Sequence, residues 1–337
     1  GKKCTITQEH ENFDMIEDLE ILESKNRDFG ELQKYLKTSN LLGNLVDKLI
    51  KPGKTREELF KSTIEYFLNS DSRNAETHYT YYGRTKSKVF LYYILDKIRT
   101  KNRESFINKN LKTDLPLPEN FVFFPLHAEI ERTLLITAPF YMNQIEAIKV
   151  IAKSIPINYK LVVKEHPFQV ARAWRSVSDY KEIMNIPNVI LVHPTFSNEE
   201  LYKNCSLLVT IAGTGGFEAT FYGKPVITFV NLNYSILPSV TTLKNFHELP
   251  ALIRKSLGKK VNSSDLDRFL SLLEKNSFEF NYADFTAKFD TEFFYGGRLV
   301  DTEISEVKMK TFLEKNSSIL NNLADEHISK MNWFKDK

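Results

Sequence analysis

The sequence is poor in the residues that mark several common protein classes. Only two of its 337 residues are cysteines, Cys4 and Cys205, which excludes a disulfide framework and a cysteine metal cluster and favours a cytoplasmic location. No apolar run approaches the roughly 18 residues of a membrane span. Basic and acidic residues are nearly balanced, 46 against 43, so we expect no nucleic-acid partner.

Apolar and aromatic residues are plentiful by comparison. Hydrophobic residues make up 42% of the chain and 25 residues are phenylalanine, which indicates a folded globular protein. The length allows two domains, each with its own core. We predict three parts: a mainly helical N-terminal region at 1–118, a Rossmann-like α/β domain at 119–258, and C-terminal helices at 259–337.

The N-terminal region shows two helical patterns and no βαβ unit. "KTREELFKSTIEYFLNS" (54–70) begins with Thr55 as a predicted N-cap and Glu58 three residues later. "SKVFLYYILDKIRTKNRESF" (87–106) predicts a second helix with a basic end. The Tyr-rich and basic segment 78–103 has two interpretations, which stay open: peripheral association with the inner face of a membrane or with a partner, or an ordinary helix with a solvated basic face.

From residue 120 onward, apolar strands alternate with amphipathic helices. The predicted strands are "FVFF" (121–124), "LLIT" (134–137), "YKLVV" (159–163), "NVILV" (188–192), "SLLVTI" (206–211) and "PVITFV" (225–230). Helices are predicted at 143–155 and 197–205. This order is typical of a parallel α/β sheet with right-handed crossovers. After residue 247 we expect helices at 248–257 and 263–276 and one long helix near 303–332.

The turn in "VTIAGTGGFEATFYGKPVITF" (209–229) joins a strand to a helix with three glycines, Gly213, Gly215 and Gly216. Glycines permit positive φ and close approach of a ligand to the backbone. The N–H groups that start the following helix favour a phosphate, and the Thr214 hydroxyl adds a donor. The alternative, that small residues at a tight turn are purely architectural, stays open.

The composition of this turn excludes two familiar nucleotide sites. It is not the dinucleotide fingerprint G-x-G-x-x-G, because Glu218 stands in the place of the third glycine, and it lacks a Walker A lysine. No Asp or Glu follows between residues 219 and 247, where an NAD ribose partner would lie. Glu218, expected in the first helical turn, could bind ribose hydroxyls; otherwise it is an exposed residue stabilised by the helix dipole.

Two further motifs end predicted strands. "YKLVVKEHP" places Lys164 and His166 at a strand's carboxyl end, where ligands of open α/β sheets bind. "FPLHAEIERT" (124–133) follows the first strand and is rich in polar and charged side chains. Its candidate residues are His127, Glu129, Glu131 and Arg132, either substrate contacts or a charged loop. The second His-Pro pair, at His193, precedes a capped helix and is expected to be structural.

The segments "LVVKEHP", "NVILV" and "AGTGGFEATFYGKPVITF" together resemble the donor domain of GT-B glycosyltransferases that build bacterial surface polysaccharides, in particular capsule-synthesis proteins of the Kdo-transferase type. The resemblance covers roughly residues 118–258. It implies that the His-Pro histidine and the small-residue turn hold the nucleotide phosphate and that the helix glutamate holds the ribose. Carried over, these residues are His166, Gly213, Thr214, Gly215, Gly216 and Glu218, with Lys164 nearby. Tyr234 is a separate candidate donor contact, in a segment that differs from the family pattern.

The resemblance implies a nucleotide-sugar donor, with a CMP-linked keto-acid sugar as the best candidate, and a saccharide or glycolipid acceptor. It implies no cofactor and no metal; Asp265 and Asp267 form a D-x-D that opens a helix and is interpreted as capping. GT-B enzymes have a second Rossmann-like domain that binds acceptor, and residues 1–118 lack its pattern. Within this chain Glu131 and Glu129 are the local candidates for the catalytic base.

Three alternatives remain open at the level of sequence. One is a phosphotransferase of the CDP-glycerol type, and another is a UDP-GlcNAc 2-epimerase; both classes share the GT-B architecture and similar strand ends. A non-catalytic nucleotide-sugar-binding protein of polysaccharide assembly is the third.

Overall fold

The computed structural model describes residues 3–4, 24–39, 64, 86–113, 116–129, 133–169, 175–294 and 304–335. The predicted helix at 54–70 and the loop after it lie outside these residues, except for Ile64. The chain divides into two compact units, one within His10–Thr38 and Lys97–Leu272, the other within Gly1–Glu9, Ser39–Asp96 and Leu273–Lys337. The three-part division predicted from the sequence stays a prediction.

The first unit contains the parallel sheet and is named the sheet unit. Its strands are β2 (Phe121–Pro125), β3 (Lys160–Lys164), β4 (Val189–Val192), β5 (Leu207–Thr210), β6 (Val226–Thr228) and β7 (Val240–Thr242), while β1 (Lys3–Cys4) belongs to the second unit. The helices in chain order are α1 (Phe29–Ser39), α2 (Lys86–Asn110), whose C-terminal part belongs here, α3 (Gln144–Ser154), α4 (Val177–Met184), α5 (Asn198–Asn204), α6 (Thr214–Thr220), α7 (Leu249–Leu257) and α8 (Ser263–Lys275).

The six strands are all parallel and lie in the order β4-β3-β2-β5-β6-β7. The central strands are apolar along their whole length because helices cover both faces of such a sheet. Phe121, Val122, Phe123 and Phe124 of β2 are fully buried, as are all four residues of β5. The predicted fold class, a Rossmann-like α/β sheet with flanking helices, is confirmed.

Local sequence explains where the crossover helices start. Asn143 accepts a hydrogen bond from the backbone N–H of Glu146, and Ser176 caps α4 in the same way. Ser197, predicted as a cap, accepts from the N–H of Glu200 at 3.2 Å. Each side-chain oxygen satisfies a donor that the helix itself leaves without a partner.

The N-terminal segment packs on the sheet unit. Arg27 pairs with the buried Asp267 of α8, and the side-chain amide of Gln33 donates to the carbonyl oxygen of Phe221 at 3.2 Å. Phe29 lies over Gly223, which has a φ of +67°. Asp267 is therefore an ion-pair partner inside the fold.

Three predictions about secondary structure are wrong. "LLIT" is no strand: Thr133–Thr137 is a single π-helical turn in which Leu134 is buried while Ile136 is 67% exposed. The strand β7 has no counterpart among the predicted strands. The long C-terminal helix is two helices, α10 (Glu306–Lys315) and α11 (Ser317–Lys335), separated at Asn316.

The second unit also contains β8 (Phe278–Glu279), which pairs antiparallel with β1, and α9 (Tyr282–Phe293). Its interior is aromatic: Phe312 of α10 packs against Phe285, Phe289 and Phe293 of α9 with ring centroids 5.0–5.9 Å apart. Among the helices that the structure describes, none combines the length and apolar character needed to cross a lipid bilayer.

Candidate functional site

The three sequence motifs lie side by side at one edge of the sheet. The strands β3, β2 and β5 are neighbours in that order, and the loop that follows each one carries "KEHP", "FPLHAE" and "AGTGG" respectively. Parallel strands place their carboxyl ends at the same edge, where open α/β sheets bind their ligands. The clustering predicted from the sequence is therefore present.

His127, in the loop after β2, is buried and joined to the glycine turn. Its Nε2 accepts a hydrogen bond from the backbone N–H of Ala212 at 3.1 Å, so the neutral ring carries its proton on Nδ1. Gln144 of α3 bonds both the N–H and the carbonyl oxygen of His127. Burial, together with nearby His166 and Arg175, lowers the pKa of His127 to about 4. Among the residues that the structure describes, none is a hydrogen-bond partner of the buried Nδ1.

The glycines of the turn are required by packing. Gly213 has a φ of −85°, and among the described glycines only Gly223 has positive φ, so the turn does not use the positive φ that glycine permits. A Cβ at Gly216 would lie 2.5 Å from the hydroxyl of Tyr234, and one at Gly213 would lie 2.8 Å from Oγ1 of Thr210. These positions are filled by the protein's own side chains, which supports the architectural interpretation of Gly213 and Gly216.

The start of α6 nevertheless leaves donors for a ligand. Gly213 is the N-cap residue and makes no side-chain capping bond, so the first N–H groups of α6, at Thr214 and Gly215, have no acceptor from a capping side chain. Tyr234 stabilises this turn, because its hydroxyl donates a hydrogen bond to the carbonyl oxygen of Gly213 at 2.6 Å. Tyr234 therefore acts on the turn itself, and its predicted donor contact stays a prediction.

Glu218 lies in the second turn of α6, one turn later than predicted. It is partly buried and accepts a hydrogen bond from the hydroxyl of Tyr202 at 3.1 Å, so the exposed alternative is wrong. Burial raises the pKa of its carboxyl, while Tyr202 and the positive charge of Lys164 act against that rise. Ribose binding by Glu218 stays a prediction.

Lys164 ends β3 and is 4% exposed. Its ammonium donates to the carbonyl oxygen of Phe196 at 2.6 Å and to the side-chain oxygen of Asn198, at the start of α5. Burial lowers the pKa of Lys164 to about 8. Two of its three donors are thus used by the protein, and its contact with a phosphate stays a prediction.

His166 is half-buried, and contacts with neighbouring residues of its own loop fix its orientation. Its ring stacks on Phe168 with centroids 5.6 Å apart, and its Nδ1 accepts the backbone N–H of Phe168 at 3.2 Å. The backbone N–H of His166 donates to the side chain of Glu165 at 2.6 Å. The second histidine of this type, His193, bonds Thr195 and Asn108 through its two ring nitrogens, as expected of a structural residue.

A buried ion pair beneath these loops was missed by sequence reasoning. Arg175 bonds Glu165 through Nε at 2.8 Å, pairs with Glu129, and donates to the carbonyl oxygen of His127. Tyr180 of α4 donates its hydroxyl to Glu165 at 2.8 Å. Burial raises the pKa of the Glu165 carboxyl, and the hydrogen bonds from the Tyr180 hydroxyl and the backbone N–H of His166 oppose that rise.

The remaining candidates can be placed only in part. Glu129 pairs with Arg175, and its backbone N–H donates to the side-chain oxygen of Gln169 at 3.1 Å. Glu131 and Arg132 lie outside the described residues. The described residues contain no group of three or more His, Cys, Asp or Glu side chains arranged to hold a metal ion.

A family model described as "Capsule polysaccharide biosynthesis protein" matches residues 49–263. The match covers more than half of the chain and therefore shows its family. The chain belongs to this family. The resemblance that the "KEHP" and "AGTGGFE" motifs predict is confirmed at the level of the family. No protein of curated function matches the chain.

Two solved structures illustrate what this capsule-family chain is similar to. One is the beta Kdo 2,7 transferase of KpsC from Thermosulfurimonas dismutans, with 16% identity, a TM-score of 0.35, and coverage of 56% of each chain. The other is the UDP-GlcNAc 2-epimerase of Methanocaldococcus jannaschii, with 19% identity, a TM-score of 0.35, and coverage of 53% of this chain and 51% of that one. The chain spans about half the length of these proteins.

Proposed function

We propose that this chain carries the donor site of a glycosyltransferase that moves a sugar from a nucleotide-activated donor to a surface polysaccharide or glycolipid acceptor. The observation that carries the proposal is the meeting of three polar loops at one sheet edge, after β2, β3 and β5, in a chain of the capsule family. A CMP-linked keto-acid sugar is the proposed donor.

In this proposal the nucleotide phosphate lies against the start of α6. The N–H groups of Thr214 and Gly215 and the Thr214 hydroxyl donate to it, and His166 approaches from the loop after β3, two strands away from β5 in the sheet. Glu218 binds the ribose hydroxyls through the carboxylate oxygen that Tyr202 does not use. These donors stabilise the phosphate charge by hydrogen bonding, and the proposal includes no metal.

The same donors account for catalysis. An acceptor hydroxyl oxygen attacks the anomeric carbon, the bond from that carbon to the phosphate oxygen breaks, and the electron pair leaves with the phosphate. Fixed donors stabilise the charge that develops there. His127 can contribute its Nδ1–H as a neutral donor, since its low pKa keeps the ring uncharged. A carboxylate takes the hydroxyl proton, and Glu129 is the candidate among the described residues.

Calorimetric titration with CMP, CDP, UDP and NAD in EDTA tests this proposal. We expect CMP to bind without metal and to bind more weakly to His166→Ala and Glu218→Ala. His327→Ala and Glu314→Ala, exposed residues of the second unit, are the matched controls and should bind like the wild type. Preference for UDP or CDP would move the assignment to the epimerase or CDP-glycerol class. No binding of any nucleotide by the folded chain would overturn the donor site.

A further inference from the structure

Arg175 contacts both loops that flank the proposed donor site. Its side chain is 1% exposed, and its guanidinium donates to the carbonyl oxygen of His127 and pairs with Glu129, both in the loop after β2. Its Nε donates to Glu165, in the loop after β3, at 2.8 Å. A single guanidinium thus holds two separate strand ends.

Glu165 completes the connection toward the His-Pro motif. Its side chain is fully buried and accepts the backbone N–H of His166 at 2.6 Å on one oxygen. Its other oxygen accepts from Arg175 and from the hydroxyl of Tyr180, each at 2.8 Å. The position of the His166 backbone therefore depends on a carboxylate that Arg175 and Tyr180 fix in place.

Stability alone gives a weak reason for such a pair. Removing two charges from water costs several kcal/mol, and well-packed apolar residues of similar volume often serve stability as well or better. What apolar residues cannot reproduce is direction: the planar guanidinium presents donors in a fixed fork, and here that fork meets three acceptors in two loops. The pair's distinctive contribution is geometry.

We propose that Arg175 is a positioning residue for donor binding, which with Glu165 fixes the loop of His127 and Glu129 against the loop of His166. This inference rests on the proposed function, because the loops it positions are those assigned to the nucleotide sugar. Arg175 is assigned no contact with the donor itself.

The test substitutes Arg175→Lys, which keeps the positive charge and removes the fork. Because a lysine ammonium cannot reproduce the fork of charged hydrogen bonds that joins the two loops, we expect CMP affinity to fall by about tenfold or more. Amide hydrogen exchange should accelerate at His166 and across 126–129, which reports loop position directly. Arg27→Lys is the matched control, since Arg27 also pairs with a buried carboxylate of the sheet unit, Asp267 of α8.

The outcomes separate this inference from the proposed function. Unchanged CMP affinity in folded Arg175→Lys, or an equal loss of affinity in Arg27→Lys, would overturn the positioning role while the donor site stands. Absence of CMP binding by the wild type would overturn both. If Arg175→Lys does not fold, Tyr180→Phe is the substitute test. It removes one hydrogen bond to Glu165 and should lower the affinity for CMP about threefold. Unchanged affinity in that folded variant would equally overturn the role.

Discussion

At the scale of single residues, the burial of His127 leads us to expect that acid destabilises the folded protein. Its pKa is about 4 in the folded protein against an ordinary value of 6.5, because the buried ring resists protonation. As pH falls from 6.5 to 4, the unfolded chain takes up a proton that the folded chain does not. The folded state should therefore lose about 3 kcal/mol of stability from this residue across that range.

Denaturant unfolding of the wild type and His127→Asn at several pH values between 7 and 4 measures this contribution. The wild type should lose more stability on acidification than the variant, and the difference between the two curves isolates His127 from the carboxylates. Parallel curves would show that the imidazole titrates normally in the folded protein.

Gly216 gives a second prediction at the residue scale. An added Cβ would lie 2.5 Å from the Tyr234 hydroxyl and 3.1 Å from Thr210 and Val226, so Gly216→Ala should lower the free energy of unfolding by about 1–3 kcal/mol. Gly258→Ala is the control, because the nearest atom there is the Lys255 carbonyl oxygen at 3.9 Å. Adding Tyr234→Phe to Gly216→Ala should recover part of the loss. Equal stability of both single variants would contradict the packing account.

Sequence reasoning located some of these residues and could not locate others. His127, His166 and the glycine turn were predictable because each follows an apolar strand, and the ends of parallel strands meet. Arg175 was not, since the sequence around it shows no hydrophobic period and no strand end. The packing around Gly216 depends on Tyr234, 18 residues away in the chain, which no local pattern reveals.

At the scale of elements, α5 connects helix capping to the site. Ser197 caps this helix, whose first residue, Asn198, accepts from the ammonium of Lys164. Ser197→Ala should cost about 1 kcal/mol of stability, while Ser197→Asp, which restores a capping oxygen, should cost much less. Thermal or chemical denaturation of the two variants measures this difference. Equal losses would mean that the Ser197 hydroxyl does not stabilise the start of α5.

The elements also show where periodicity misleads. "LLIT" has the composition of a strand, and short apolar runs of this kind cannot be assigned by pattern alone. In the structure only Leu134 of this run faces the core, and Tyr141 beyond it packs against Phe229 and Phe246 with centroids 5.0 and 5.5 Å away. The buried strands β2, β3 and β5, by contrast, agree with their predictions to within one residue at each end.

At the scale of the whole molecule, the central claim is that one edge of a parallel sheet binds a nucleotide sugar. Family membership, the sheet order and the three adjacent loops support the same place for it. A glycosyltransferase also needs an acceptor site, and the chain spans about half the length of the solved structures it resembles. The proposal assigns this chain the donor site and assigns it no acceptor site.

The most direct measurement is a crystal structure of the protein grown with CMP. The account predicts the phosphate within hydrogen-bond distance of the N–H groups of Thr214 and Gly215 and of His166, with the ribose against Glu218. A nucleotide bound away from the carboxyl ends of β2, β3 and β5, or a phosphate that touches none of these groups, would contradict it.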